Sequence, residues 1–249
     1  MTVRIDGTPS FGRLLVSEVR KLVTLPAVWG SLAAGVLVAG GAAWLFSATY
    51  RADPTGGRDL LDVALGAIDY VQAGFLVLGV LAISSEYPGP IRVTLTTTPR
   101  RIPVHLAKAT ALAMCALPVA LVAVATVFAV SRALLGGEVD VPALGTTLGQ
   151  LASATAYLVI VALLAFAVAT GLRRTVPAVS AALGYFFVLG PLIRRYTGLD
   201  WTPDTAGIAL WHPGSAPPGL EGPAGWAVLT AWTLGLLAIA TTAFTLRDT

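Results

Sequence analysis

Asp69, Tyr70 and Gln72 fall at the start of one long apolar run, and Gln150 and Tyr157 fall within another. A carboxylate is costly inside a membrane, so an acid within a span is a candidate for a substrate path or a gate. By helix rise Asp69 stands about 25 Å from Glu86 at the other end of its run. That places it near the edge of a hydrocarbon core about 30 Å thick, where it can reach headgroup water. Asp69, Gln72, Gln150 and Tyr157 are therefore the candidate substrate-path residues.

A second constellation suits docking. Arg92, Arg100 and Arg101 share a polar break between two apolar runs with Pro88, Pro90, Pro99 and Pro103. Prolines stiffen such a segment, and guanidinium groups pair with the carboxylates of a partner. The alternative is that these arginines only set topology, as Arg173-Arg174 would in a later short turn. Nothing in the sequence has the spacing of a catalytic centre. The chain has only two lysines, Lys21 and Lys108, and neither lies in a Gly-x-x-x-x-Gly-Lys-Ser/Thr phosphate loop. Lys108 is expected to snorkel to the membrane surface. His105 and His212 lack ligand-spaced companions, so no metal is expected. Neither His-Glu-x-x-His nor Gly-x-Ser-x-Gly occurs, and the single Cys115 allows no intrachain disulfide.

The elements that must position these residues are membrane helices. Of the 249 residues 56% are hydrophobic and 12% charged, with a mean hydropathy of +0.80. An ordinary soluble domain carries about 25% charged residues. The apolar blocks reach the roughly 20 residues that cross a bilayer. They predict an all-α polytopic membrane protein with six spans at 27–49, 64–85, 106–131, 147–170, 176–193 and 224–246, a single transmembrane domain. Pro118 falls mid-span and predicts a kink. Ahead of the spans, 10–24 reads as an amphipathic helix with Ser10 as N-cap. Phe11, Leu14, Leu15, Val19, Leu22 and Val23 form one stripe, and Arg13, Ser17, Arg20 and Lys21 fall largely on another. Such a helix lies in the headgroup layer; the alternative is packing on a soluble partner.

The first 25 residues lack the pattern of a cleavable signal peptide, so the first span is expected to direct insertion. Orientation follows from the cations. With the N-terminus cytoplasmic, only Arg51, Arg58, Arg132, Arg194 and Arg195 of the 16 lysines and arginines lie outside. The bias puts both termini and the 86–103 loop inside. The net charge of +3 then reflects topology, and no nucleic-acid partner is expected. The Pro/Gly-rich 194–222 stretch is expected outside, with Ile208-Ala209-Leu210-Trp211 dipping back to cap a path. Trp201, Trp211 and Trp226 suit an interface.

At the 86–103 loop the residues resemble a known family. Glu86-Tyr87, Gly89, Ile91-Arg92, Thr94-Leu95, Pro99-Arg100-Arg101 and Lys108 are similar to the first cytoplasmic loop of ABC-2 type permeases, the membrane subunits of bacterial ABC exporters. Ser17-Glu18-Val19-Arg20-Lys21-Leu22 resembles that family's elbow-helix signature, and Leu246-Arg247-Asp248 its usual ending. Pro88 and Pro90 depart from the more flexible Gly-Thr pair common there. The resemblance implies a permease subunit in the bacterial plasma membrane that is not itself an enzyme. ATP and Mg would bind a separate ATPase, and this chain would carry no cofactor. It implies pairing with a second permease subunit, as homo- or heterodimer. It also implies coupling to the ATPase through Glu86, Gly89, Arg92, Arg100 and Arg101 of the loop and Glu18 and Lys21 of the elbow helix.

Rival readings differ in their demands. An ion-driven secondary transporter favours mid-membrane charges and broken helices in matching halves. An intramembrane protease needs a motif this chain lacks. A membrane immunity or scaffold protein needs no path at all.

Overall fold

The computed structural model describes residues 10–24, 26–53, 59–84, 101–212, 217–220 and 222–246. Among these the chain is all-helical. Six helical stretches are long and apolar enough to cross a membrane, at Ala33–Ala52, Leu60–Ser84, Ile102–Leu135, Leu144–Leu172, Thr175–Thr197 and Pro223–Ala243. The protein is membrane-embedded on that evidence of length and composition.

Helix α1 (Phe11–Thr24) comes first. Its partly buried Leu15 and Val19 and its buried Leu22 pack on the bundle, while Phe11, Val16 and Val23 stay exposed. Helix α2 (Pro26–Ala52) is apolar along its length and presents Trp29, Leu37, Trp44 and Leu45 outward, as a lipid-facing helix would. The second apolar run forms two helices, α3 (Leu60–Leu65) and α4 (Ile68–Ser84), divided by a turn at Gly66–Ala67. Helicity thus begins four residues ahead of the expected 64. Asp59 explains the earlier start: its Oδ1 accepts the Asp62 N–H at 2.9 Å, capping α3. Leu60 and Val63 then bury against Leu135.

Helix α5 (Arg101–Leu135) runs unbroken through Pro118 over 35 residues. At 1.5 Å per residue that is about 52 Å, well beyond a hydrocarbon core. Helix α6 (Leu144–Leu172) is the most central, with thirteen residues buried along its length. It packs most extensively on α4, and also on α5. Gly79 of α4 permits that approach, because a Cβ there would overlap the Ala162 carbonyl.

The fifth span has three parts: α7 (Thr175–Gly184), a π-helical turn (Tyr185–Leu189) and α8 (Gly190–Thr197). It does not end near Ile193. Arg194 and Arg195 occupy its last turn, where cations suit the helix dipole, and Gly198 closes it at φ 64°. Helix α9 (Pro203–Trp211) follows, and α10 (Pro223–Leu246) completes the bundle. Eight of the nine α9 residues are buried, among them Trp211 at 3% exposure. Trp211 therefore packs beside Tyr157, with ring centroids 6.5 Å apart, and does not sit at a water interface as its residue type suggested.

Two ends of the bundle are distinct. The connector end carries the α2–α3 and α5–α6 links, joined by Arg51 to Glu138 at 3.0 Å and by the Leu60 N–H to the Asp140 carbonyl at 3.1 Å. The elbow end carries α1 and the start of α5.

Candidate functional site

Polar chemistry concentrates at one place on each end. At the elbow end, Glu18 of α1 is 5% exposed and Lys108 of α5 is 3% exposed. The Lys108 Nζ lies 2.7 Å from Glu18 Oε2, and the Lys21 Nζ lies 2.8 Å from Glu18 Oε1. One carboxylate thus bridges a buried cation on another helix and a half-exposed cation one turn along its own. The local cause is helical spacing. Leu15, Glu18, Val19 and Leu22 share the face of α1 that meets α5. Lys108 does not snorkel outward, because its carboxylate partner lies on the packed side. Glu18 likewise faces the bundle, so of the two elbow residues Lys21, bonded to Glu18, is the one with a partly exposed side chain. His105, one turn before Lys108, is fully buried and rests on Phe166 with ring centroids 5.0 Å apart.

Of the loop residues, Glu86, Gly89, Arg92 and Arg100 lie outside the described residues, as does the Arg101 side chain. Arg101 itself is the first residue of α5.

At the connector end a cavity of about 330 Å³ is lined by Asp69, Gln72, Tyr157, Arg194 and Asp204, with Phe46, Tyr70, Phe186 and Phe187 among its aromatic walls. Three of the four expected path residues meet here. Tyr157, on α6, donates its hydroxyl to Gln72 Oε1 of α4 at 2.5 Å. Both side chains are nearly inaccessible, so the bond satisfies two groups that otherwise lack water. Gln150 does not join them. It sits two turns earlier on α6, and its enclosed Oε1 has no hydrogen-bond partner among the described residues.

No protein-family model matches this chain, and no curated protein matches it.

The cavity also contains residues that reading by apolar runs passed over. Asp204 is 5% exposed and accepts the Tyr185 hydroxyl on Oδ1 at 3.1 Å. Arg194 enters the lining from the last turn of α8. A signal for Asp204 was available: Thr202-Pro203-Asp204 has an N-cap residue, proline at the first helical position and an acid in the first turn. That pattern announces a helix over 203–211, whose first turn carries the acid into the bundle. Gly207 of α9 makes the close seating possible, because a Cβ there would collide with the Tyr157 ring. Two carboxylates and one guanidinium, with phenol and carboxamide groups, thus line one pocket walled by aromatic rings. Such a lining orients a small polar group.

Proposed function

We propose that this chain is the membrane-spanning permease subunit of an ATP-driven exporter. Two such subunits form the path, and a separate ATPase binds ATP and Mg. The observation that carries the reading is the buried Glu18–Lys108 pair. It fastens the amphipathic helix to the second turn of the helix that emerges from the basic Arg100-Arg101 segment. α1 and the start of α5 then form one mechanical unit. Push or pull on the 86–103 loop is passed to α5, whose length of about 52 Å carries it across the membrane. Lys21, Arg92, Arg100 and Arg101 supply the charges that meet the ATPase, and Glu18 transmits within the chain. The elbow end is cytoplasmic and the connector end faces outward, in agreement with the bias of the cations. The polar cavity around Gln72 and Tyr157 then lies on the outer side, and buried α9 caps it as a re-entrant element.

The second reading is an ion-driven transporter, which Asp204 favours: it is a second acid beside Asp69, almost wholly buried. The two are separated by replacing Arg100 and Arg101 with Gln while adding Lys nearby in the same loop, which keeps the topogenic charge. The expected variant inserts correctly but fails to co-purify with its ATPase or to transport on ATP. Normal ATPase binding and transport in that variant overturn the coupling role of the two arginines. Substrate movement that follows an ion gradient without any ATPase overturns the exporter reading.

A further inference from the structure

The polar cavity does not stand alone. A second cavity of about 350 Å³ is lined by Leu76, Leu164, Ala182, Phe186, Trp232 and Leu236 among others, and its walls are almost wholly apolar. Phe186 lines both cavities. Elsewhere the division falls between neighbours. Asp204 faces the polar cavity and Pro203 the apolar one. On α4, Gln72 belongs to the first and Leu76, one turn on, to the second. On α6, Tyr157 and Leu164 are divided in the same way. The apolar cavity is therefore displaced from the connector end toward the middle of the bundle, by about 6 Å along α4. Each volume alone is at the low end of the roughly 300–1,000 Å³ usual for small-molecule sites.

The π-helical turn Tyr185–Leu189 contributes to both linings, Tyr185, Phe186 and Leu189 to the apolar cavity and Phe186 and Phe187 to the polar one. Single π turns inside α-helices are rare and occur frequently at functional sites. Here the turn carries Tyr185, whose hydroxyl holds Asp204 at 3.1 Å, and Phe186, the shared side chain.

We infer that the paired cavities bind the two ends of one amphiphile: a positively charged amine head between Asp69 and Asp204, and a hydrocarbon chain among Leu76, Leu164 and Leu236. Carboxylates outnumber the one guanidinium in the head pocket, and Phe46, Tyr70 and Phe187 line it with aromatic rings, whose π-systems attract an ammonium ion. The chain pocket is lined by Ala181 and Ala182 of α7 and by Trp232 and Leu236 of α10, helices that also expose Val176, Leu234 and Ile239, so the proposed route for the tail is from lipid past these two helices. The head-outward, tail-inward arrangement is that of an amphiphile resting in one leaflet. This deepens the exporter reading and rests on it for the direction of movement, but binding itself needs no ATPase.

The test uses the purified full chain in phosphatidylcholine nanodiscs with a diazirine-bearing dodecylamine, and photolabelled peptides are mapped by mass spectrometry. Saturable labelling within 76–82, 164–168, 181–189 and 232–236 is expected. Dodecylamine should displace it best, dodecanol less and dodecyl phosphate least. Asp204→Asn keeps an acceptor for Tyr185 and should weaken amine binding about tenfold, the loss of one charge-assisted contact. Arg194→Gln should act in the opposite sense and strengthen it, an outcome that mere damage to the fold would not produce. Nanodiscs containing an amine-headed lipid that abolish the labelling would identify that lipid as the occupant. Undiminished labelling there would identify a soluble cationic amphiphile, and both results support the site. Preference for the phosphate, insensitivity to both variants, or unsaturable labelling spread over lipid-facing residues such as Leu37 and Ile239 would overturn the inference. ATP-driven transport of another compound class without saturable labelling would sink this inference and leave the exporter reading standing. Saturable labelling with no ATP-driven transport would do the reverse.

Discussion

Glu18→Gln is the most discriminating change to the elbow end. It removes the carboxylate while keeping side-chain volume, and leaves the Lys108 ammonium at 3% exposure with that counter-charge gone. Removing one member of a buried pair typically costs about 3–5 kcal/mol, because the remaining charge stays desolvated. Lys108→Met removes the other member and should cost a similar amount. The double variant Glu18→Gln/Lys108→Met leaves no buried charge of the pair, and should recover more than about 1 kcal/mol relative to the sum of the singles. Lys21→Met is the control. That lysine is 40% exposed, so its bond to Glu18 should be worth at most about 1 kcal/mol. Unfolding in mixed micelles by rising SDS fraction provides the measurement, followed by tryptophan fluorescence. Trp29 reports from the right place, since its Nε1 donates to the Val23 carbonyl at 2.6 Å where α1 meets α2. A single-variant cost below about 0.5 kcal/mol, or strict additivity in the double, would refute the idea that this pair fastens α1 to α5.

Tyr157→Phe should destabilise by about 1–3 kcal/mol in the same assay, because it strips the buried Gln72 carbonyl of its 2.5 Å donor; a neutral result would mean water enters that site. Gly207→Ala should cost a further 1–3 kcal/mol or so by overpacking α9 against Tyr157, and should expose the 203–211 segment to proteolysis; an unchanged cleavage pattern would count against the tight seating. On a Cys115-free background, cysteines at positions 56 and 215 should react with an impermeant maleimide from outside intact cells and one at 98 only after permeabilisation. External labelling at 98 would invert or break the proposed topology.

Six spans were legible because membrane insertion is a one-dimensional demand. Each crossing needs about 20 apolar residues in a row, and a run of that length can be counted. The amphipathic stripe at 11–24 was legible for the same reason, since period and charge are local. Asp69, Gln72 and Tyr157 were legible as polar residues within apolar runs, but their meeting was not. Gln72 and Tyr157 lie 85 positions apart, and only the packing of α4 on α6 brings hydroxyl and carboxamide into contact. Gln150 had the same local signal and shares a helix face with Tyr157, but it stands two turns, about 10 Å, nearer the start of α6 and so misses the cavity. Glu18 and Lys108, 90 positions apart, show the limit most plainly. Each reads alone as a surface charge, one on an interfacial helix and one able to snorkel. Opposite charges can share a dry interface only when two helices hold them at bonding distance, and no run, period or composition records that distance. Asp204 lay in a Pro/Gly-rich stretch of which only Ile208-Ala209-Leu210-Trp211 was expected to dip back; the tertiary structure buries the whole helix from Pro203, and with it the acid, because Gly207 lets it rest on the Tyr157 ring.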